Sequence, residues 1–129
     1  MVNNKLTLKL FKEKYGVCRL EKDEKLPNWC TLNDFVSITK TEDELSIVCK
    51  EDTIEEGVVC EKDWRMLKIL GPLDFSLIGI LASISSILAA NKISIFAIST
   101  YDTDYILLKN DKVDEAVEIL KANNYAILA

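Results

Sequence analysis

Two carboxylates stand between two apolar runs in FAISTYDTDYILLK, residues 96–109, and they raise the first question about chemistry in this chain. Asp104 can bind an ammonium or guanidinium group through charge-assisted hydrogen bonds, with the Thr100 hydroxyl and the Tyr101 ring as neighbours. Aspartate is also frequent in hairpin turns, where its side chain accepts hydrogen bonds from nearby backbone N–H groups. We expect Asp102 to serve the turn, while both interpretations stand for Asp104.

The composition argues against most catalytic and metal sites. The chain has 129 residues and no histidine, which removes Ser-His-Asp and Cys-His catalysis and histidine metal ligands. Its four cysteines, at positions 18, 30, 49 and 60, lack C-x-x-C spacing, so buried free thiols are expected and a four-cysteine zinc site is the alternative. We predict a non-enzymatic protein without a cofactor or a metal.

Charge and hydropathy predict a cytoplasmic protein. The net charge is −5 and no dense cluster of lysine and arginine is present, so nucleic-acid binding is not expected. The N-terminal MVNNKLTLKLF has no apolar segment of a signal peptide. The longest apolar stretch, residues 78–90, is too short and too interrupted by serines to cross a bilayer, so no membrane partner is expected.

Hydrophobic periodicity predicts the elements that must position these residues. Alternation and short apolar runs predict strands at residues 5–11, 15–21, 34–40, 45–50, 64–70, 93–99, 104–109 and 125–128. Helical spacing predicts helices over residues 75–91 and 111–124, the first of them capped by Asp74 or Ser76. The segment TEDE, residues 41–44, fits either a capping box or a tight turn.

From residue 63 the predicted order of elements is β-α-β-β-α-β. This order predicts an α+β, ferredoxin-like sheet with the strand order 4-1-3-2 and both helices on one face. Residues 1–62 then form an N-terminal unit packed beside the domain of residues 63–129. The last strands are apolar on both faces, so we expect the face away from the helices to be covered by the N-terminal half, by a second subunit, or by both.

This topology predicts a binding site at one end of the sheet. The loop at residues 71–75 and the turn at residues 100–104 lie at the same end, beside the start of the long helix. Free backbone N–H groups there, near Ser76 to Gly79, can bind a carboxylate. Gly79 lets a ligand approach the backbone closely, although it could equally serve helix-on-sheet packing. A carboxylate receptor next to a cation receptor suits a free amino acid.

The run GPLDFSLIGILASISSILAANKISIFAISTYDTDYILLK resembles the ACT-domain family of small-molecule-binding regulatory domains, and within it the group of cytosolic arginine sensors and the regulatory domains of aspartate kinases. The resemblance covers residues 64–128, and its most specific parts are Gly79-Ile80 and STYDTDYIL. The segment DFVSITKTEDELSIVCKED is similar to the partial ACT-like unit that precedes the second unit in that group.

The resemblance implies allosteric binding of a free amino acid at an interface between ACT units. The ligand contacts it implies are Phe75, Ser76, Leu77, Gly79, Thr100, Tyr101 and Asp104. Because the chain holds one full and one partial unit, the resemblance also implies a homodimer that completes the site, and a regulated protein partner. Two alternatives stay open: an interaction module without a small-molecule ligand, and a small enzyme that uses Asp104 as a base.

Overall fold

The structure is a computed structural model that describes residues 6–70 and 79–129. The chain forms two compact units, each described here by itself. Met1–Lys12 and Arg65–Ala129 make up the helix unit, which contains both α-helices. Glu13–Trp64 makes up the cysteine unit, which contains all four cysteines. The N-terminal strand therefore belongs to the helix unit, whereas the sequence prediction grouped it with the rest of residues 1–62.

The described residues contain eight strands and two α-helices. The strands are β1 (Thr7–Leu10), β2 (Tyr15–Leu20), β3 (Val36–Lys40), β4 (Leu45–Lys50), β5 (Val59–Leu70), β6 (Ile95–Ser99), β7 (Asp104–Lys109) and β8 (Ala126–Leu128). The helices are α1 (Ile80–Ala90) and α2 (Val113–Ala122), and 3-10 turns lie at Asn28–Leu32, Glu51–Thr53 and Asn110–Lys112. Strand β5 begins earlier than predicted, because its first residues also pair with β2.

The sheet of the helix unit has the neighbour order β8-β1-β5-β7-β6. The predicted order 4-1-3-2, counted from β5, corresponds to β8-β5-β7-β6. It is wrong at one place, because β1 lies between β8 and β5. Leu8 pairs with Ile127 of β8 in a parallel sense and with Ile69 of β5 in an antiparallel sense. The alternating leucines of β1 supply the apolar face that this position requires, and Leu8 is fully buried. Strands β6 and β7 form an antiparallel hairpin in which Ser99 pairs with Asp104.

Both helices pack on one face of this sheet, as predicted. The core consists of alternate strand residues and one side of each helix: Leu8, Leu67, Ile69, Ile84, Leu88, Ile93, Ile106, Leu108, Val113, Ala116 and Leu120. Residues two apart on a strand point to the same face, which is why single positions are skipped in β5 and β7. Leu107, on the opposite face of β7, is buried as well. This packing holds the end of β5 and the β6–β7 hairpin in defined positions.

Helix α1 begins at Ile80 and not at Phe75 as predicted. Gly79 is its N-cap residue in a left-handed conformation, with φ 81° and ψ 9°, and the Ser83 N–H donates the first helical hydrogen bond to the Gly79 carbonyl at 2.8 Å. A β-carbon makes this conformation unfavourable, so the backbone requires glycine here. The predicted caps at residues 74 and 76 lie outside the described residues.

The cysteine unit is an antiparallel sheet with the neighbour order β3-β4-β2-β5. Its buried core consists of Cys18, Leu20, Cys30, Leu45, Ile47 and Cys49. The segment TEDE forms the tight turn between β3 and β4. In this turn the Glu44 N–H donates to the Thr41 hydroxyl at 3.1 Å, and the Thr41 N–H donates to the Glu44 carbonyl at 2.9 Å. The capping-box alternative is wrong, because strand β4 follows the segment and not a helix.

Candidate functional site

The hairpin turn between β6 and β7 is closed by Thr100. Its N–H donates to the Thr103 carbonyl at 2.8 Å. Its hydroxyl donates to the same carbonyl at 3.0 Å and accepts from the Thr103 N–H at 3.2 Å. The Asp102 carboxylate is exposed and takes no part in these described bonds. Thr100, and not Asp102 as expected, therefore supplies the side chain that closes the turn.

Thr103 anchors this turn to the sheet. Its side chain is 7 % exposed, and its hydroxyl donates to the Ile69 carbonyl at 2.6 Å. Because Ile69 is the last residue but one of β5, the turn lies at the end of that strand, where the segment of residues 71–78 begins. Thr103 is absent from the predicted contacts, because its only local signal is a hydroxyl-bearing residue at the junction of turn and strand.

The turn carries hydrogen-bond acceptors that are accessible to solvent. Asp104 is the first residue of β7 and is partly exposed, and an ionised carboxylate only accepts hydrogen bonds. The single hydroxyl proton of Thr100 is already donated within the turn, so this hydroxyl retains one lone pair and can only accept. Two acceptors in one hairpin suit a cationic donor such as an ammonium or guanidinium group.

Gly79 lies at the start of α1. An ideal β-carbon built there meets no heavy atom of the described residues within 4 Å. Glycine is therefore not required for packing the helix on the sheet, and the left-handed backbone explains its presence. The N–H groups of Ile80, Leu81 and Ala82 precede the first helical bond, which Ser83 donates. They form the partially positive end of the helix.

The predicted contacts fall into three groups. Three lie together in the β6–β7 hairpin, and these are Thr100, Tyr101 and Asp104; the Tyr101 side chain is 84 % exposed. Gly79 stands alone at the N-cap of α1. The others, Phe75, Ser76 and Leu77, lie outside the described residues. Within residues 6–70 and 79–129, no group of three or more cysteine or acidic side chains is arranged to hold a metal ion.

Comparison with known proteins identifies the family to which this fold belongs. A family model described as an ACT domain matches residues 59–122, and a second model, described as an N-terminal domain, matches residues 13–57. Protein Atu0741 from Agobacterium tumefaciens, a solved structure, is 36 % identical with a TM-score of 0.91, and the match covers 98 % of this chain and 94 % of that one. The chain belongs to the ACT-domain family.

Two further comparisons are a partial sequence match and a similarity of fold alone. The cytosolic arginine sensor for mTORC1 subunit 1 of Homo sapiens is 42 % identical over 59 residues, which are 45 % of this chain and 18 % of the sensor. The match thus spans less than a fifth of the sensor. The regulatory subunit of aspartate kinase from Thermus thermophilus shares the fold, with a TM-score of 0.60 at 10 % identity over 89 % of this chain and 95 % of that chain. In the part of the chain that the structure describes, no helix is long and apolar enough to cross a membrane.

Proposed function

We propose that this chain is a non-enzymatic regulatory protein that binds a free amino acid at an interface between ACT units. Asp104 binds the cationic group of the ligand, Thr100 accepts a further hydrogen bond from it, and the Tyr101 ring covers one side. The backbone leading into α1 binds the carboxylate. The proposed contacts on that side are Phe75, Ser76, Leu77 and Gly79.

The observation that carries this proposal is the anchored, acceptor-rich hairpin turn. The buried bond from the Thr103 hydroxyl to the Ile69 carbonyl, 2.6 Å long, ties the turn to the end of β5. A turn that is already ordered loses little conformational entropy when a ligand binds. Strand β5 ends at Leu70, the residue after the one to which this turn is bonded, and this supports a site at this end of the sheet.

The acceptor groups favour a ligand with a positive charge. Asp104 and the remaining lone pair of Thr100 can both receive hydrogen bonds, and neither can donate one while the carboxylate is ionised. A ligand with only a carboxylate would meet repulsion at this turn. The Gly79 backbone, where a β-carbon would meet no described heavy atom within 4 Å, and the N–H groups at the start of α1 would form the complementary receptor for an anion.

Relatives and sheet edges support the proposed ligand class and assembly. One relative is named as a cytosolic arginine sensor and another as a regulatory subunit of aspartate kinase. We therefore infer a cytosolic protein that responds to an amino acid and alters a protein partner.

Among the described strands β6 pairs with β7 alone, so its other edge is open to a second copy, and we propose a homodimer that completes the site.

A thermal-shift screen of the full chain against the common free amino acids tests the proposal. A ligand that binds only the folded state, at a hundred times its dissociation constant, raises the free energy of unfolding by about 2.7 kcal/mol and so raises the melting temperature. Titration calorimetry then measures the affinity of each amino acid that shifts the transition. Light scattering during size-exclusion chromatography reports whether the chain is a dimer with and without that ligand.

A matched pair of variants in the same turn locates the site. Asp104→Asn removes a charge-assisted bond worth about 1.5–3 kcal/mol, so affinity should fall about 10- to 150-fold. Asp102→Asn changes the net charge equally, and it should leave the affinity within about threefold because that carboxylate is outside the proposed site. Equal losses in both variants would contradict a specific role for Asp104. No thermal shift with any amino acid would instead favour an interaction module without a small-molecule ligand.

A further inference from the structure

Three cysteines form a row across the sheet of the cysteine unit. Cys18 of β2 lies directly opposite Cys60 of β5 in the antiparallel register. On the other side of β2, Cys49 of β4 pairs with Gly16, so it is diagonal to Cys18. The Cys18 and Cys49 thiols lie close enough to shift each other's pKa in opposite directions. Since residues two apart share a face, all three thiols lie on the same face of the sheet.

The three thiols differ in their access to solvent. Cys18 is 1 % exposed and Cys49 is fully buried, whereas Cys60 is partly exposed. The interaction with Cys49, together with burial, raises the pKa of the Cys18 thiol. The same interaction lowers the pKa of the Cys49 thiol against the opposing effect of its burial. A small oxidant in solution therefore meets Cys60 first, with the neutral thiol of Cys18 opposite it.

We propose that Cys60 and Cys18 form an oxidation site that reacts with a peroxide and closes a disulfide across the strands. Directly opposed residues of an antiparallel pair have Cα atoms about 4.5–5.5 Å apart, and disulfides span Cα distances of about 4.4–6.8 Å. Diagonal neighbours such as Cys18 and Cys49 lie about 7–8 Å apart, which is beyond that range. The strand register thus selects Cys60 as the partner of Cys18.

The reaction consists of two balanced steps. The Cys60 sulfur attacks one oxygen of hydrogen peroxide, the O–O bond breaks, and Cys60 becomes a sulfenic acid while one water leaves. The Cys18 sulfur then attacks the Cys60 sulfur and the S–O bond breaks. The departing hydroxyl of the sulfenic acid takes the proton of the Cys18 thiol and leaves as a second water. Two thiols are oxidised to one disulfide, and the peroxide is reduced to two waters. A thiol reductant reverses the change by exchange.

Peptide mapping of the full chain after treatment with hydrogen peroxide tests this proposal. Lysine and arginine residues place the four cysteines in separate tryptic peptides, residues 15–19, 26–40, 41–50 and 51–62. Remaining thiols are alkylated in denaturant before digestion, and the peptides are analysed by mass spectrometry without reduction. We expect two of the four thiols to be lost, one link between peptides 15–19 and 51–62, and full recovery of the thiols with dithiothreitol.

Two variants complete the test. Cys60→Ser, at a partly exposed position, should fold normally by circular dichroism and should retain its three other thiols under the same peroxide treatment. Cys30→Ser, the buried control outside the row, should still form the link. The proposal would be overturned by a link between peptides 15–19 and 41–50, by a disulfide between two copies through Cys60, or by sulfinic acid at Cys60 without any link. Unchanged thiols in the wild-type chain would overturn it equally.

Discussion

The Thr103→Val substitution should destabilise the helix unit and loosen the candidate site. Valine keeps the branched shape of threonine and removes only the hydroxyl that donates to the Ile69 carbonyl at 2.6 Å. A typical hydrogen bond contributes about 0.5–1.5 kcal/mol net, and a buried group left without its partner costs about 1–3 kcal/mol. Because Thr103 is 7 % exposed and Ile69 is fully buried, the larger range applies. We expect a loss of about 1–3 kcal/mol.

Two spectroscopic probes make the assay specific to one unit. Both α-helices lie in the helix unit, whereas Trp29 and Trp64 lie in the cysteine unit. Urea unfolding followed by circular dichroism at the helix band should show the loss for Thr103→Val. Heating followed by the same signal should show a melting temperature lower by roughly 4–24 °C. Tryptophan fluorescence reports the other unit in the same samples. Affinity for any amino acid found in the screen should fall as well, since the turn that carries Asp104 loses its anchor.

Thr31→Val is the matched control for this prediction. The Thr31 hydroxyl also donates to a backbone carbonyl, that of Asn28 at 2.9 Å, but this bond is exposed to water. Water can replace the lost donor there, so the substitution should change stability by less than about 0.5 kcal/mol. If both variants lose the same free energy of unfolding, burial does not explain how much the Thr103 hydrogen bond contributes to stability, and the prediction is wrong.

Two further predictions concern the start of α1 and the buried thiols. Gly79→Ala should lower the free energy of unfolding by about 1–2 kcal/mol, because φ is 81° there. Gly79→Asn should lower it less, because asparagine tolerates that conformation. Urea unfolding measures both variants, and an alanine variant as stable as the wild type would contradict the prediction. Burial raises the pKa of the Cys30 thiol, so this thiol keeps its proton to a higher pH in the folded chain than in the unfolded chain, where it ionises above about pH 8.5. The contribution of the protonated thiol to the free energy of unfolding is therefore complete below that pH. It is lost as the pH rises further, by up to about 1.4 kcal/mol per pH unit. The free energy of unfolding of Cys30→Ala should depend less steeply on pH between about pH 7.5 and 9.5, and identical slopes for variant and wild type would contradict this.

Elements with a local signal could be predicted from the sequence. Strands β4 and β7 have the predicted bounds, since each is a short apolar run between polar turns. The start of α1 was predicted too early, because the conformation of Gly79 depends on how the chain enters the helix and has no periodic signal. The place of β1 was also missed. Its alternating leucines show that one face is buried, but they do not identify β5 and β8 as its neighbours.

The same division holds for the candidate site. Thr100, Tyr101 and Asp104 could be assigned to one hairpin, because they lie between two predicted strands that are close in sequence. Thr103 could not be recognised, because its partner, the Ile69 carbonyl, is 34 residues away. The cysteine row was invisible for the same reason, since only the pairing of β2 with β4 and β5 makes Cys18 a neighbour of Cys49 and Cys60.

By itself the sequence determined the class of fold, the exclusion of histidine chemistry and the position of an acidic turn between two strands. Only the tertiary structure decided where the first strand pairs, what anchors the turn and which cysteines face each other. The physical reason is that periodicity records which face of an element is buried, and it does so within a few residues. The partner of that face and the register against it are set by packing between segments that are distant in the chain.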